Sequence, residues 1–242
     1  MGPSGTNPVG VIARAASVLR ALGDTPSGMS LGQIARQAGL PRATVQRLVA
    51  ALAAERMVVT GGAGQIMLGP EVLRLAASMR ADAPARLRAD MRKLSMALGE
   101  TVDLSVVRQD QVVFLDQVPG VQRLQAVSHV GAAFPLHCCA SGKAYLAQLT
   151  DADVERLIGR VYPRRTPNTL TTLDALLRDL ALIRRTSVAV DNEEHTEGIS
   201  AVGIGLGQGP GWFGLSVPMP TQRFVDKRAD VASRILALRR AE

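Results

Sequence analysis

The sequence predicts an α+β fold, with a small helical unit ending in a β-hairpin ahead of a larger unit built on an antiparallel sheet. Three observations carry this. Residues 30–52, SLGQIARQAGLPRATVQRLVAAL, read as two short helices around a tight turn. Residues 57–68 read as a strand, a glycine-rich turn and a second strand. From Glu100 onward the apolar period changes from helical to alternating, and hairpins then mix with helices, which favours an antiparallel sheet over a doubly wound parallel one.

The first helix is expected from about Pro8 to Leu22, with Val11, Ala15, Val18, Leu19 and Leu22 at helical spacing and Gly23-Asp24-Thr25-Pro26 ending it. Ser30 can cap the next helix, whose stripe is Leu31, Ile34, Ala35 and Ala38. Gly39 supplies the turn, and Pro41 suits the first turn of a third helix with Val45, Leu48, Val49 and Leu52 inward. Met57–Thr60, Gly61–Gly64 and Gln65–Leu68 complete a winged helix-turn-helix. A helix over about 71–80 breaks at Asp82-Ala83-Pro84, and the next carries Leu87, Met91, Leu94 and Leu98. Val102, Leu104 and Val106 alternate with polar residues as in a half-buried strand, followed by strands at Val112–Val118 and Gln122–Val127. One helix begins near Ser141, another near Asp151, and a third spans Leu173–Arg185. Strands follow at Ser187–Val190, Ile199–Leu206 and Trp212–Val217, and a last helix at about Thr221–Arg240.

Composition narrows the function. The 242 residues are 47% apolar and 20% charged, as in an ordered soluble protein of one large or two modest domains. No apolar run spans a bilayer and the start lacks a signal-peptide pattern, so no membrane partner is expected and the cytoplasm is the expected location. Cys138 and Cys139 are adjacent, and with three histidines they offer neither a disulfide framework nor metal-ligand spacing, so no metal or cofactor is expected. Residues 1–80 hold eight arginines against three acidic residues, net +5, while the remainder is net +2. Positive charge concentrated in the smaller unit suits phosphate contacts, although a solvated basic face looks the same.

The third helix turns Ala43, Gln46, Arg47 and Ala50 outward. Small residues plus Gln and Arg on an exposed face suit the major groove, where Arg reads guanine and Gln reads adenine. Gln46 and Arg47 are assigned to base edges, and Arg42 and Thr44, at the helix start and flank, to phosphates. An ordinary helical hairpin is the competing reading.

Four segments, in order and at matching spacing, resemble IclR-type bacterial transcriptional regulators. They are GLPRATVQRLVAAL (Gly39–Leu52) with LGPEVLRLA (Leu68–Ala76), GETVDLSVVRQDQVVFLDQV (Gly99–Val118), LHCCASGKAYLA (Leu136–Ala147), and AVDNEEHTEGISAVGIGL (Ala189–Leu206) with GLSVP (Gly214–Pro218). The resemblance implies a winged helix-turn-helix at 1–69, a linker helix at 70–83, and an effector-binding and oligomerisation domain at 84–242 related to GAF and PAS folds. It also implies a homodimer or a dimer of dimers on double-stranded operator DNA, controlled by a small-molecule effector. Two departures stand out. Residues 57–68 contain no Lys or Arg, which weakens the wing as a DNA contact, and Pro218 stands where some members carry a pocket serine, which points to a more apolar ligand.

His137-Cys138-Cys139 invites a thiolate nucleophile, but neighbours on an extended chain face opposite ways. Read with the resemblance, Cys139, Ala140, Ser141 and Gly142 line an effector pocket, where amides at the start of a helix favour a carboxylate, hence an organic acid. Asp191, Ala201 and Ser216 match further effector-binding positions. Glu193, Glu194, His195 and Glu197 around Asp191 could serve acid–base or cation chemistry, and Glu193 and Glu197 read as solvated loop. Gly203, Gly205, Gly207 and Gly209 lack the following helix and Lys-Ser/Thr pair of a phosphate loop. The expected function is a metabolite-controlled DNA-binding regulator and not an enzyme; a Cys- or Asp-dependent hydrolase or lyase with a DNA-binding appendage, and an architectural DNA-binding protein, are the alternatives.

Overall fold

Local chemistry sets the N-terminal elements. Ser30 Oγ accepts the Gln33 N–H and Gln33 Oε1 accepts the Ser30 N–H at 2.8 Å, so two donors at the start of α2 (Leu31–Ala38) are satisfied reciprocally. Gly39 ends the helix at φ 65°, a left-handed conformation that glycine adopts without a Cβ penalty. The Leu40 N–H then closes on Ala35 O at 3.0 Å. Pro41 stands at the cap of α3 (Arg42–Ala54), one residue ahead of its first turn. With α1 (Pro8–Gly23), these helices bury Val18, Leu22, Ile34, Val45 and Leu48 against Val58 of β1 (Val58–Thr60) and Ile66 of β2 (Ile66–Leu68). The strands pair antiparallel, and Met29 bridges to Ile66, tying the chain before α2 to the wing. α4 (Pro70–Arg80) follows.

The computed structural model describes residues 8–80 and 85–239. These fall into two compact units, 1–81 and 82–242. The expected helix break at Asp82–Pro84 and the last expected helical residue, Arg240, lie outside the described residues.

The second unit is a six-stranded antiparallel sheet in the order β5-β4-β3-β8-β7-β6. Its strands are β3 (Val102–Arg108), β4 (Gln111–Val118), β5 (Ala133–Pro135), β6 (Ala189–Asn192), β7 (Ile199–Leu206) and β8 (Phe213–Pro220). On one face α5 (Ala85–Leu98) and α9 (Thr221–Arg239) pack Leu87, Met91, Leu94, Phe224, Val231 and Ile235 onto Leu104, Val202 and Leu215. Against the other face lie α6 (Ala140–Leu146), α7 (Asp151–Ile158) and α8 (Leu173–Thr186), with Leu146, Val154, Leu176 and Leu180 beside Val112 and Phe114. Glu100, buried ahead of β3, takes a two-pronged contact from Arg223 at 2.8 Å and Lys227 at 2.9 Å, fastening α9 to the sheet.

Three expectations change. Residues 122–127 form no strand; the loop leaves Leu124 and Val127 exposed, so its apolar alternation serves no sheet face. The edge strand is β5 instead, joined to β4 through Phe134↔Val112. β3 is not half-buried: with helices over both faces, Asp103 and Ser105 are as buried as Leu104. β8 runs on to Pro220, because its ladder to β7 continues through Ala201↔Pro218 to Ile199↔Pro220, while its ladder to β3 covers only Gly214 to Ser216. Beyond that, Pro218 and Pro220 need bond on one side only, which the missing N–H allows.

Candidate functional site

Helical periodicity decides what α3 shows to solvent. Val45 and Leu48 are sealed in the core, and a rotation of about 100° per residue therefore leaves Arg42, Gln46 and Arg47 exposed, with Thr44 half-buried at the flank. Among the described residues none of these three exposed side chains has a hydrogen-bond or ion-pair partner within the chain. Two guanidinium groups and a carboxamide thus stand free on one short helix. The wing offers only Thr60 and Gln65 as polar side chains between Val58 and Leu68, so its means of approaching a phosphate is backbone amides.

In the second unit a cavity of about 290 Å³ opens between the sheet, the loop around Gln125–Ser128 and the start of α6. Six of the seven residues picked from the sequence line it: Cys139, Ala140, Ser141, Asp191, Ala201 and Ser216. Gly142 does not. A Cβ there would lie 2.4 Å from Leu136 O, against rigid backbone, so its part is to let the 136–138 turn fold onto α6. Gly142→Ala is expected to cost about 1–3 kcal/mol of stability by overpacking, read as a lowered urea midpoint with an unchanged slope. Gly203 acts similarly across the sheet, since a Cβ there would meet Ala140 Cβ at 2.9 Å, and its absence seats the α6 start on β7.

Strand register brings the polar groups together. Asp103 pairs with Ser216 on one side and Gln117 on the other, while Ala201 pairs with Asp191 and Pro218. Asp103, which the sequence reading passed over, is 1% exposed. Its Oδ1 accepts the Gln117 amide at 2.7 Å, and its Oδ2 is buried without a partner among the described residues. Burial pushes its carboxyl from the ordinary 3.8 to about 7, against the opposing pull of the Gln117 amide and the nearby Ser128 side chain. Asp191, likewise pushed to about 7 chiefly by burial and next by the Glu194 carboxylate, accepts the Glu194 N–H at 2.7 Å. Apolar walls complete the cavity: Phe114 and Phe134 meet edge to face at 5.0 Å, and His195 stacks on Phe134 at 3.6 Å. Burial lowers the His195 pKa to about 4, so the ring is neutral.

Behind Asp191, Lys143 is fully buried, with Nζ 2.5 Å from Glu194 and 2.8 Å from Asp179. Burial alone would discharge it, but the two carboxylates outweigh that and raise its pKa. Thr166 and Thr169 hydroxyls donate to the carbonyls of Glu193 and Glu194 at 2.6 and 2.7 Å, pinning the loop that carries His195. The sequence cluster of acids therefore separates: Glu194 is a core ion-pair partner, Glu193 accepts the Gly198 N–H at 2.7 Å, and Glu197 is exposed. Burial also pushes the Cys138 thiol to about 12 and the Cys139 thiol well above its usual range, which disfavours the thiolate needed for nucleophilic attack.

The raised Asp103 pKa fixes a pH dependence. Between about pH 4 and 7 the folded chain holds a proton that the unfolded chain has lost, so this group's effect is that stability falls as pH rises through that window and levels off above it. The melting-temperature advantage of Asp103→Asn over the parent should accordingly grow across this window. A difference independent of pH contradicts the assignment.

Comparison with known proteins agrees with this architecture. Residues 11–62 match the IclR helix-turn-helix domain and residues 76–241 the bacterial transcriptional regulator IclR C-terminal domain. The chain is 44% identical over 229 residues to the HTH-type transcriptional regulator Rv1719 of Mycobacterium tuberculosis, covering 94% of this chain and 88% of that one. It is 36% identical over 227 residues to the HTH-type transcriptional regulator TtgV of Pseudomonas putida, covering 93% and 87%. Two solved structures share the fold. The IclR of Thermotoga maritima superposes with a TM-score of 0.70 at 23% identity, covering 96% of this chain and 99% of that one. An IclR homologue from Microbacterium hydrocarbonoxydans, complexed with 4-hydroxybenzoate, superposes with a TM-score of 0.68 at 23% identity, covering 96% and 100%. No helix among the described residues is long and apolar enough to cross a membrane. With both domain models matched in order over nearly the whole chain, the protein belongs to the IclR family of bacterial transcriptional regulators.

Proposed function

We propose that the chain represses or activates transcription by binding a two-fold-symmetric operator as a homodimer or a dimer of dimers, under control of a small molecule held in the C-terminal cavity. In this reading residues 1–69 bind DNA, 70–83 link, and 84–242 bind effector and assemble subunits. Gln46 and Arg47 meet base edges, Arg42 and Thr44 meet phosphates, and the cavity formed by Cys139, Ala140, Ser141, Asp191, Ala201 and Ser216 holds the effector. The observation that carries it is the cavity itself, a half-open, largely apolar recess edged by two carboxyls whose pKa values burial has shifted, a combination that marks ligand sites more often than structural cores. The high thiol pKa values weigh against the Cys-dependent enzymatic alternative.

Control follows from linkage. An effector that prefers one arrangement of the paired DNA-binding units changes operator affinity by that preference and no more, and operator DNA changes effector affinity by the same factor. The test is a pair of titrations with any ligand that raises the melting temperature: operator affinity with and without ligand, and ligand affinity with and without operator. Equal factors of about 5–150-fold are expected. A bound ligand that leaves operator affinity unchanged contradicts the mechanism.

A further inference from the structure

Resting on the effector-binding reading above, we propose that the cavity takes an uncharged aromatic molecule carrying a hydroxyl or N–H donor, with Asp103 Oδ2 as its acceptor, in place of the organic acid that the helix start suggested.

Charge makes the first part of the case. Two carboxyls, Asp103 and Asp191, line the cavity, and no Lys or Arg does. Lys143 lies behind Asp191, fully buried and already paired with Glu194 and Asp179. The feature that would welcome an anion is the start of α6, a seven-residue helix. A helix end amounts to at most about half a unit of positive charge, too little to offset the two carboxylates once both are ionised, above about pH 7. A ligand carboxylate would enter against the net field.

Hydrogen bonding makes the second part. Asp103 and Ser141 line the cavity, and Asp103 Oδ2 and Ser141 Oγ are buried without a hydrogen-bond partner among the described residues; the first is a pure acceptor when ionised. Buried acceptors left unpaired are costly, so the group that relieves Asp103 is a donor. Asp191, separated from Asp103 across the sheet by β8 and β7, is already committed to backbone N–H groups and offers less. Shape makes the third. Phe114, Phe134 and His195 form a stacked and edge-to-face wall, neutral throughout, and Ala126, Ala201 and Pro218 add apolar surface. A cavity of about 290 Å³ lies at the small end of ligand sites and suits one ring or two fused rings.

The test compares three probes of similar size on the full chain at about pH 8, above the value of about 7 that burial gives both carboxyls. They are 4-methylphenol (neutral donor), 4-methylanisole (neutral, no donor) and 4-hydroxybenzoate (anion), titrated by calorimetry. 4-Methylphenol should bind about tenfold or more tightly than either of the others. Asp103→Asn should raise 4-hydroxybenzoate affinity by about tenfold while narrowing the advantage of the phenol over the anisole. Ala201→Leu, which partly fills the cavity, should weaken all three. If the parent prefers 4-hydroxybenzoate, the donor assignment is overturned while effector binding in the cavity stands. If Ala201→Leu changes no affinity, or none of the three probes binds, the assignment of this cavity falls as well.

Discussion

Lys143→Met is expected to destabilise the C-terminal unit by about 3–5 kcal/mol, the largest single-residue effect anticipated in this protein. Its ammonium is 0% exposed and shared between Glu194, 7% exposed, and Asp179. Methionine matches the stem in length, so packing is largely kept. The loss is that Glu194 becomes a buried carboxylate without a counter-charge. A buried pair is weak evidence of net stabilisation, because desolvating both ions offsets their attraction, but removing one partner leaves the other's desolvation uncompensated. The damage should reach the cavity, because the Glu194 N–H is what orients Asp191. Urea denaturation of the parent, Lys143→Met and the double variant Lys143→Met/Glu194→Gln checks this. The double variant should recover a large part of the loss. A single variant within about 1 kcal/mol of the parent contradicts a charged, structurally required Lys143.

Arg47→Ala carries the second large effect. Arg47 is exposed and bonds to nothing else in the described chain, so its removal should leave the melting temperature unchanged. Against the preferred operator it should cost about 1–3 kcal/mol and relax preference at one base pair in each half-site. Arg42→Ala should behave differently, weakening all DNA about equally and reducing the slope of log affinity against log salt by about 1. The contrast separates base reading from phosphate positioning, and a wing without cationic side chains leaves more of both tasks to α3. Equal discrimination by parent and Arg47→Ala across operator variants contradicts the reading role.

The N-terminal elements were legible because their signals are local. A capping Ser30 with Gln33, a left-handed Gly39 and apolar residues every three to four positions act within one or two turns, and they set which way Gln46 and Arg47 face. The C-terminal unit was legible in outline and illegible where long-range contacts decide. Alternation along residues 122–127 looked like a strand, but whether an alternating segment pairs depends on a free sheet edge, and residues 133–135 occupy that edge. Asp103 sat among alternating residues as an outward polar position, and the 125–128 loop and the start of α6 that share its buried surroundings are supplied by sequence farther along. Lys143 likewise resembled an ordinary residue of a helix start, while its partner Glu194 lies 51 positions away. A residue's partner across the core leaves no periodicity to read. The cavity residues Asp191, Ala201 and Ser216 were picked through family resemblance, and β6, β7 and β8 bring them to one side of the sheet by register.

Whether α3 reads DNA is tested most directly by selecting duplexes from a random pool with the full chain and with the double variant Gln46→Ala/Arg47→Ala. The parent should enrich a two-fold-symmetric sequence whose half-sites lie about one helical turn, or a multiple of it, apart. The variant should keep weak, salt-sensitive binding and enrich nothing. The same motif emerging from both proteins, or no motif from the parent, would contradict sequence reading by Gln46 and Arg47.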